Sequence, residues 1–183
     1  MNKYCSLPAA ALAVGIVFAV PAAAKDVMKT KNVGAYRIEL HVLPAEPFYT
    51  ADEVAAKHPT MGMVIQGGAA PVKPDADMHP NNHLVVHVFD RKTGQAITDA
   101  EVGLSFEALG RGNKPAGTSA EVPVVIMQAI GMGPKSTHYG NNVVMPPGSY
   151  RVTAMVNDQK TVFQVAASDA PDAGGSMGGM KMH

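Results

Sequence analysis

The chain has one cysteine among its 183 residues and no tryptophan. That residue, Cys5, lies in an N-terminal segment that we expect to be removed, so the mature chain has no thiol. A domain without disulfides must be held together by its core. It also has no thiolate to offer to a soft metal ion, so the soft donors that remain are the thioethers of methionine.

The first residues have the order of charged, apolar and small side chains that is typical of a secretory signal peptide. Lys3 precedes an apolar run at residues 7–20, and small residues follow it as far as Ala24. The run is shorter than the roughly 20 residues that a membrane span needs, and no later segment comes closer to that length. We predict a signal peptide at residues 1–24 and a soluble, periplasmic mature protein.

Charge of either sign is not in excess, since the chain carries 15 basic and 15 acidic side chains. This balance favours neither nucleic acid nor an anionic membrane surface as a partner. Enzyme signatures are also missing: there is no G-x-S-x-G, no H-E-x-x-H and no glycine-rich phosphate loop after a strand. We therefore predict no nucleic-acid binding and no enzymatic activity.

Short runs of alternating or β-branched residues, separated by turn residues, dominate the rest of the chain. In residues 34–43, Ile38 and Leu40 share an apolar face while Glu39 and His41 share a polar face. Further strands are predicted at residues 61–66, 82–90, 101–109, 121–130, 139–145, 149–156 and 160–166. We interpret the strands at 82–90 and 101–109 as a hairpin with a short pairing before Ile97. The pattern predicts an all-β, immunoglobulin-like antiparallel β-sandwich over residues 25–167.

Two segments depart from the strand pattern. Thr50 and Glu53 form the S/T-x-x-E pattern of a capping box, which predicts a short helix ending near His58. After residue 167 the composition changes to alanine, glycine, serine and methionine, which bury too little surface to offset the entropy of ordering. We predict a disordered, Gly/Met-rich tail at residues 168–183.

Methionine and histidine are frequent, with 12 and 7 residues respectively. Methionines in strands, such as Met145 and Met155, are explained by core packing. Methionines in loops are harder to explain in that way. Thioether and imidazole together favour copper, above all Cu(I), because the thioether is soft and imidazole accepts both oxidation states. The tail pattern M-x-x-M-x-M-H is either a Cu(I) collector or an inert extension.

One candidate site combines histidines from two strands with a methionine. His138 follows a loop that contains Met132, and Met127 lies in the strand before that loop. The first strand offers His41 on its polar face, with Glu39 one pleat away. Side chains from separate strands that meet at one point would suit copper, whereas the simpler role for His138 is a local hydrogen bond at the start of a strand.

A second candidate group lies where the strand at residues 82–90 begins. It consists of Met78, His79 and His83. His87 shares a face with His83, but the two stand about 13 Å apart along a regular strand, so they cannot both bind one ion. We therefore assign His87 a cross-strand or surface role and keep the other three residues as candidate ligands.

The segment THYGNNVVMPPGSYRVT resembles the HYG-[AN]-N motif and following G-x-Y strand of the periplasmic ferrous-iron transport-associated proteins, which are encoded beside iron permeases. That resemblance implies an immunoglobulin-like sandwich, homodimers, and copper binding through histidine and methionine. It matches His138 to the histidine of the motif, Met127 or Met132 to the methionine ahead of it, and His41 or Glu39 to an early-strand ligand. The family's late histidine has no counterpart here, which leaves a sister family of small copper-binding sandwich proteins as the alternative.

These observations predict a periplasmic metal-binding protein that handles copper, as Cu(I) or Cu(II), with iron as the second candidate. It would act as a carrier or as an accessory to an inner-membrane metal permease. The alternative function is a metal-independent interaction module of the cell envelope, which would use a sheet edge or residues 44–82 as its contact surface.

Overall fold

The structure, a computed structural model, describes residues 27–72 and 79–168. The predicted signal peptide, Met78 and the predicted tail from residue 169 onward lie outside the described residues. Within these two ranges, no helix has the length and apolar character needed to cross a membrane.

Strands make up most of the described chain, and the one α-helix in it, α1, spans Ala51–Lys57. The strands are β1 (Val27–Val33), β2 (Tyr36–Pro44), β3 (Phe48–Tyr49), β4 (Met63–Gly68), β5 (Asn82–Asp90), β6 (Val102–Leu109), β7 (Ala120–Val122), β8 (Val125–Ala129), β9 (His138–Val143), β10 (Gly148–Val156) and β11 (Gln159–Ala167). The prediction of an all-β fold with one short helix is confirmed.

Two sheets form the sandwich. The larger has seven strands in the order β1-β2-β5-β9-β8-β4-β3, and the smaller has four in the order β11-β10-β6-β7. All pairs are antiparallel except β3 with β4. The main core lies between the sheets, where alternate residues such as Leu40 of β2, Val86 of β5 and Val152 of β10 are fully buried. The other face of the seven-stranded sheet, which we call the outer face, therefore carries the intervening residues.

The predicted hairpin of 82–90 with 101–109 is wrong, because β5 and β6 lie in different sheets. The short pairing before Ile97 is confirmed: Phe89 bridges Ala96, and the Ile97 amide donates to the Val88 carbonyl at 2.8 Å. The chain then crosses to the other sheet near Ala100, whose amide donates to the Tyr139 hydroxyl. Both strands contribute buried residues to the core between the sheets, such as Val86 of β5 and Leu104 of β6.

The predicted strand at residues 121–130 is in fact two strands. Its first part, β7, belongs to the small sheet and its second part, β8, to the large sheet. Pro123 lies between them, where its missing amide hydrogen makes an unbroken ladder unfavourable. The sequence prediction also missed β1, which pairs over its whole length with residues 36–42 of β2 but is mostly exposed and has no apolar alternation.

Helix α1 begins as predicted. The Glu53 amide donates to the Thr50 hydroxyl at 3.2 Å, and the Thr50 amide donates to the Glu53 carboxylate at 2.9 Å, which completes a capping box. The helix ends at His58, which adopts a left-handed conformation with φ of 47°. The helix contacts β3 and β4, and Phe48 of β3 lies beside His83 of β5.

Candidate metal centre

Four histidines gather on the outer face. His41 comes from β2, His83 and His87 from β5, and His138 from the first position of β9. They occupy the polar positions of the period-2 pattern, while Leu84 and Val86 of β5 point into the main core. Ring centroids are 4.8 Å apart for His41 and His87, 4.9 Å for His87 and His138, and 5.6 Å for His83 and His138. The rings therefore form one continuous cluster.

His83 and His138 approach each other through their ring nitrogens. Their Nε2 atoms are 3.5 Å apart, and the two ring planes are nearly perpendicular, at 87°. Both residues are buried, with 0% and 2% of their surface exposed. The Phe48 ring lies 5.7 Å from the His83 ring and helps to exclude water from the pair.

Neighbouring oxygens determine which nitrogen of each ring carries the hydrogen. The Nδ1 atom of His138 lies 2.7 Å from the Ser136 carbonyl oxygen, and that of His83 lies 2.9 Å from the Asn142 side-chain oxygen. The Asn142 amide is itself oriented, because its NH₂ group donates to the Glu46 carbonyl at 2.7 Å. Carbonyl oxygens only accept hydrogen bonds, so both Nδ1 atoms must donate. Each neutral ring then has its lone pair on Nε2.

Burial keeps these imidazoles neutral. Desolvation, followed by the charge of His138, lowers the pKa of His83 to about 4, although its hydrogen bond to Asn142 acts in the opposite direction. Desolvation also lowers the pKa of His87, to about 3, with further contributions from His138, His41 and His83. The pKa of His138 is lowered mainly by desolvation. At neutral pH, His83, His87 and His138 are therefore uncharged, and the Nε2 atoms of His83 and His138 carry lone pairs.

Of the predicted methionines in the described residues, Met127 is the one that the fold brings to the cluster. It pairs directly with His138 across β8 and β9, so the two side chains share the outer face, where Cβ atoms of paired residues are about 5 Å apart. Met127 is fully buried in a small apolar cluster with Val85 and Val125. Met132, the alternative, is 68% exposed in the loop before β9.

The structure separates the other predicted residues into those near the cluster and those away from it. His41 and Glu39 are near it: the His41 Nε2 atom lies 3.9 Å from a Glu39 carboxylate oxygen, and Glu39 also pairs with Arg37. The ring of His41 contacts the ring of His87, which stands between it and His138. His79 is exposed ahead of β5.

Sequence reasoning missed His87 and the residues that orient the rings. The 13 Å separation of His83 and His87 along β5 was a sound reason to exclude one shared ion. It did not reveal that His138, on the adjacent strand, has ring contacts with both. The alternation in HLVVHVF already places both histidines on one face, but it does not identify the neighbouring strand.

In the described part of the chain, no set of three or more His, Asp or Glu side chains already converges as a metal-binding group. The arrangement instead offers two converging imidazole nitrogens, with a third ring and a methionine beside them. Comparison with protein-family models, curated proteins and solved structures gives no match.

Proposed function

We propose that the protein binds copper between His83 and His138. The observation that carries this proposal is the approach of two Nε2 lone pairs to 3.5 Å within a buried cluster. Facing lone pairs repel one another unless a cation lies between them. Because desolvation lowers the pKa of both rings, they are in the neutral form that binds a metal ion.

The spacing of the two nitrogens fits an ion. Imidazole nitrogens bind metals at about 2.0–2.1 Å, and two such bonds with ends 3.5 Å apart enclose an angle of roughly 113–122°. That range lies between tetrahedral and trigonal geometry. In a metal-binding histidine, the ring nitrogen that does not bind the metal usually donates a hydrogen bond, which sets the tautomer and the ring orientation. The Nδ1 atoms of His83 and His138 are hydrogen-bonded in this way.

The donors near this pair favour copper. Met127 would add a soft thioether beside His138, and His87 would add a third imidazole, a combination that suits Cu(I) and also accepts Cu(II). Thiolate ligands, which would favour zinc or an iron–sulfur cluster, are absent from the sequence after residue 5. His41 and Glu39 lie on the side of His87 away from His138. From there, the charge of Glu39 would influence the electrostatic potential at the cluster.

Export and the cellular role belong to the same proposal. The signal-like N-terminus and the resemblance around His138 support a periplasmic carrier, or an accessory to an inner-membrane metal permease, that handles copper and secondarily iron. An immunoglobulin-like topology and a homodimer are implied by the resemblance alone. Copper would then be cargo that is held and passed on.

Titration of the mature chain with Cu(I) and Cu(II), using a competing chelator, tests the proposal. His83→Ala and His138→Ala should each weaken binding by at least a hundredfold, because each removes one of two converging ligands. His79→Ala is the matched control, since this exposed histidine should not alter affinity. Circular dichroism would establish that each variant is folded.

Equal affinity in the wild type and both cluster variants would refute the site. If the folded wild type took up no copper, the alternative function as an envelope interaction module, through a sheet edge or residues 44–82, would be preferred.

A further inference from the structure

A cavity of about 700 Å³ lies beside the histidine cluster, on the outer face. It is lined by the segment between β2 and α1, by Ile65 of β4, and by Pro71, Val72 and Pro80. Its volume is within the usual range for small-molecule sites, about 300–1,000 Å³. Asn142 belongs to both regions, because it lines the cavity and also accepts the hydrogen bond of His83.

Among the described residues that line this cavity, most side chains are apolar, two are acidic and none is basic. Pro47, Phe48, Ile65 and Val72 supply apolar surface. The charged side chains among the lining residues are both carboxylates, those of Glu46 and Glu53. A ligand with an apolar body and a positive charge would complement this lining, and a carboxylate ligand would be repelled.

Glu53 already has its partners. One carboxylate oxygen is 2.9 Å from the Lys57 ammonium group, and the other accepts from the Thr50 amide at 2.9 Å. These contacts, the Thr50 bond first, lower the pKa of Glu53 to about 2. Its negative charge is thus largely compensated by the helix itself.

Glu46 is different, because its main chain is fixed while its carboxyl group makes no hydrogen bond or ion pair with the described residues. Asn142 holds the main chain on both sides, accepting from the Glu46 amide at 3.2 Å and donating to its carbonyl at 2.7 Å. Burial raises the pKa of the half-buried Glu46 carboxyl group. A carboxylate in this position is stabilised by a cation that enters the cavity.

We propose that the cavity binds a small organic ammonium ion with an apolar body. The ammonium group would pair with the Glu46 carboxylate, and the hydrocarbon part would lie against Pro47, Phe48 and Ile65. This binding does not depend on copper, although Asn142 links the two regions.

The experiment compares three probes of equal chain length: n-hexylammonium, n-hexanol and n-hexanoate. Binding to the mature full-length chain would be measured by NMR titration and calorimetry at pH 7.5 with EDTA present, so that amine coordination to copper plays no part. We expect n-hexylammonium to bind at least tenfold more tightly than either other probe. Glu46→Gln should abolish the preference for n-hexylammonium. Glu53→Gln changes a residue that lines the same cavity and should retain the preference, because the glutamine side-chain oxygen can still accept the hydrogen bond of the Thr50 amide.

Equal binding of the three probes, no binding of n-hexylammonium, or an undiminished preference in folded Glu46→Gln would each overturn the proposal. Thermal unfolding would verify that the variants fold, and the ranking of probes on the wild type decides the matter if Glu46→Gln does not. Because the measurements are made without metal, failure here leaves the copper proposal intact, and failure of the copper titration leaves this one intact.

Discussion

The Nε2 atom of His83 lies 3.5 Å from the Nε2 atom of His138, on strands that are adjacent in the sheet. Both atoms carry lone pairs because both Nδ1 hydrogens are used elsewhere, by Asn142 and by the Ser136 carbonyl. Ring orientation is therefore determined by groups that would not touch a bound ion. Substituting those groups therefore tests the orientation of the histidine rings without removing a metal ligand.

Asn142→Ala should weaken copper binding tenfold to a hundredfold, the usual effect of removing a residue that orients a metal-binding histidine. Without the Asn142 oxygen, the His83 ring loses its fixed tautomer and is free to turn. The measurement is the same chelator competition as for the histidine variants.

Asn141→Ala is the matched control for that change. Asn141 precedes Asn142 in β9, is fully buried and donates to the Pro123 carbonyl at 2.7 Å. Its side-chain oxygen accepts from the Asn142 main-chain amide, and no histidine is among its hydrogen-bond partners. It should lower stability while leaving the copper affinity of the folded protein unchanged. A similar loss of affinity in both variants would mean that Asn142 acts only through general stability.

Gly140→Ala should destabilise the protein by about 3 kcal/mol or more, a large value for one methyl group. Gly140 lies between His138 and Asn142, and a Cβ there would stand 2.0 Å from the Leu84 carbonyl oxygen and 2.8 Å from the Val85 Cα. Backbone atoms of β5 cannot move aside without disturbing the ladder to β9. Urea denaturation would measure the loss, and a change below about 1 kcal/mol would contradict this account.

Gly67→Ala is the control for Gly140→Ala. Gly67 also lies in a strand of the seven-stranded sheet, but a Cβ there would meet nothing within 4 Å. Its effect on the free energy of unfolding should stay within about 0.5 kcal/mol, as for other surface positions.

The sequence was sufficient to assign which residues share a face of each strand, but not which strands are adjacent in a sheet. Alternation correctly placed His41 on the polar face of β2, and spacing placed His83 and His87 on one face of β5, because a period of two depends only on each strand's own residues. Which strands lie side by side depends on where the chain changes sheets, as it does near Ala100 and at Pro123. Those crossings depend on long-range packing, so the contacts of His138 with His83 and His87 were not predictable from spacing.

Sequence patterns predicted the structure correctly where the interacting residues are close together in the sequence. Thr50 and Glu53 predicted the start of α1 correctly because the capping box involves only residues within one turn. Strand β1 was missed for the opposite reason: only its end residues, Val27 and Val33, pack against the core, and its main stabilisation is pairing with β2, which leaves no hydrophobic period in VMKTKNV. The role of Asn142 likewise comes from contacts with Glu46 and His83, which are remote in sequence.

The metal-free protein should lose stability as the pH falls below about 6.5, the ordinary pKa of histidine. His83 has a pKa of about 4 in the folded protein, so between these values the unfolded chain binds more protons and the free energy of unfolding falls with pH. From pH 7 to pH 5, His83 alone should contribute a loss of about 2 kcal/mol. Urea denaturation with EDTA present would measure it.

His83→Gln should remove that part of the pH dependence, because glutamine does not titrate. The two proteins should be compared by how steeply the free energy of unfolding falls as the pH is lowered, since carboxyl groups also begin to titrate near pH 5 and affect both proteins alike. An equal loss of stability in the wild type and in His83→Gln would show that His83 is not held neutral by the fold.

Tyr139→Phe should cost about 1–3 kcal/mol, because it leaves two main-chain groups without their hydrogen-bond partner. The fully buried Tyr139 hydroxyl accepts from the Ala100 amide at 3.1 Å and donates to the Ile97 carbonyl at 2.9 Å, where the chain crosses between the sheets. Tyr36→Phe is the control, since the Tyr36 hydroxyl accepts a bond from Asn157 that is exposed to solvent, and water can replace it. Denaturant unfolding of both variants would compare the costs. If Tyr139→Phe were as mild as Tyr36→Phe, the hydroxyl would not be what fixes the crossing, and packing of the ring in the core would have to account for it.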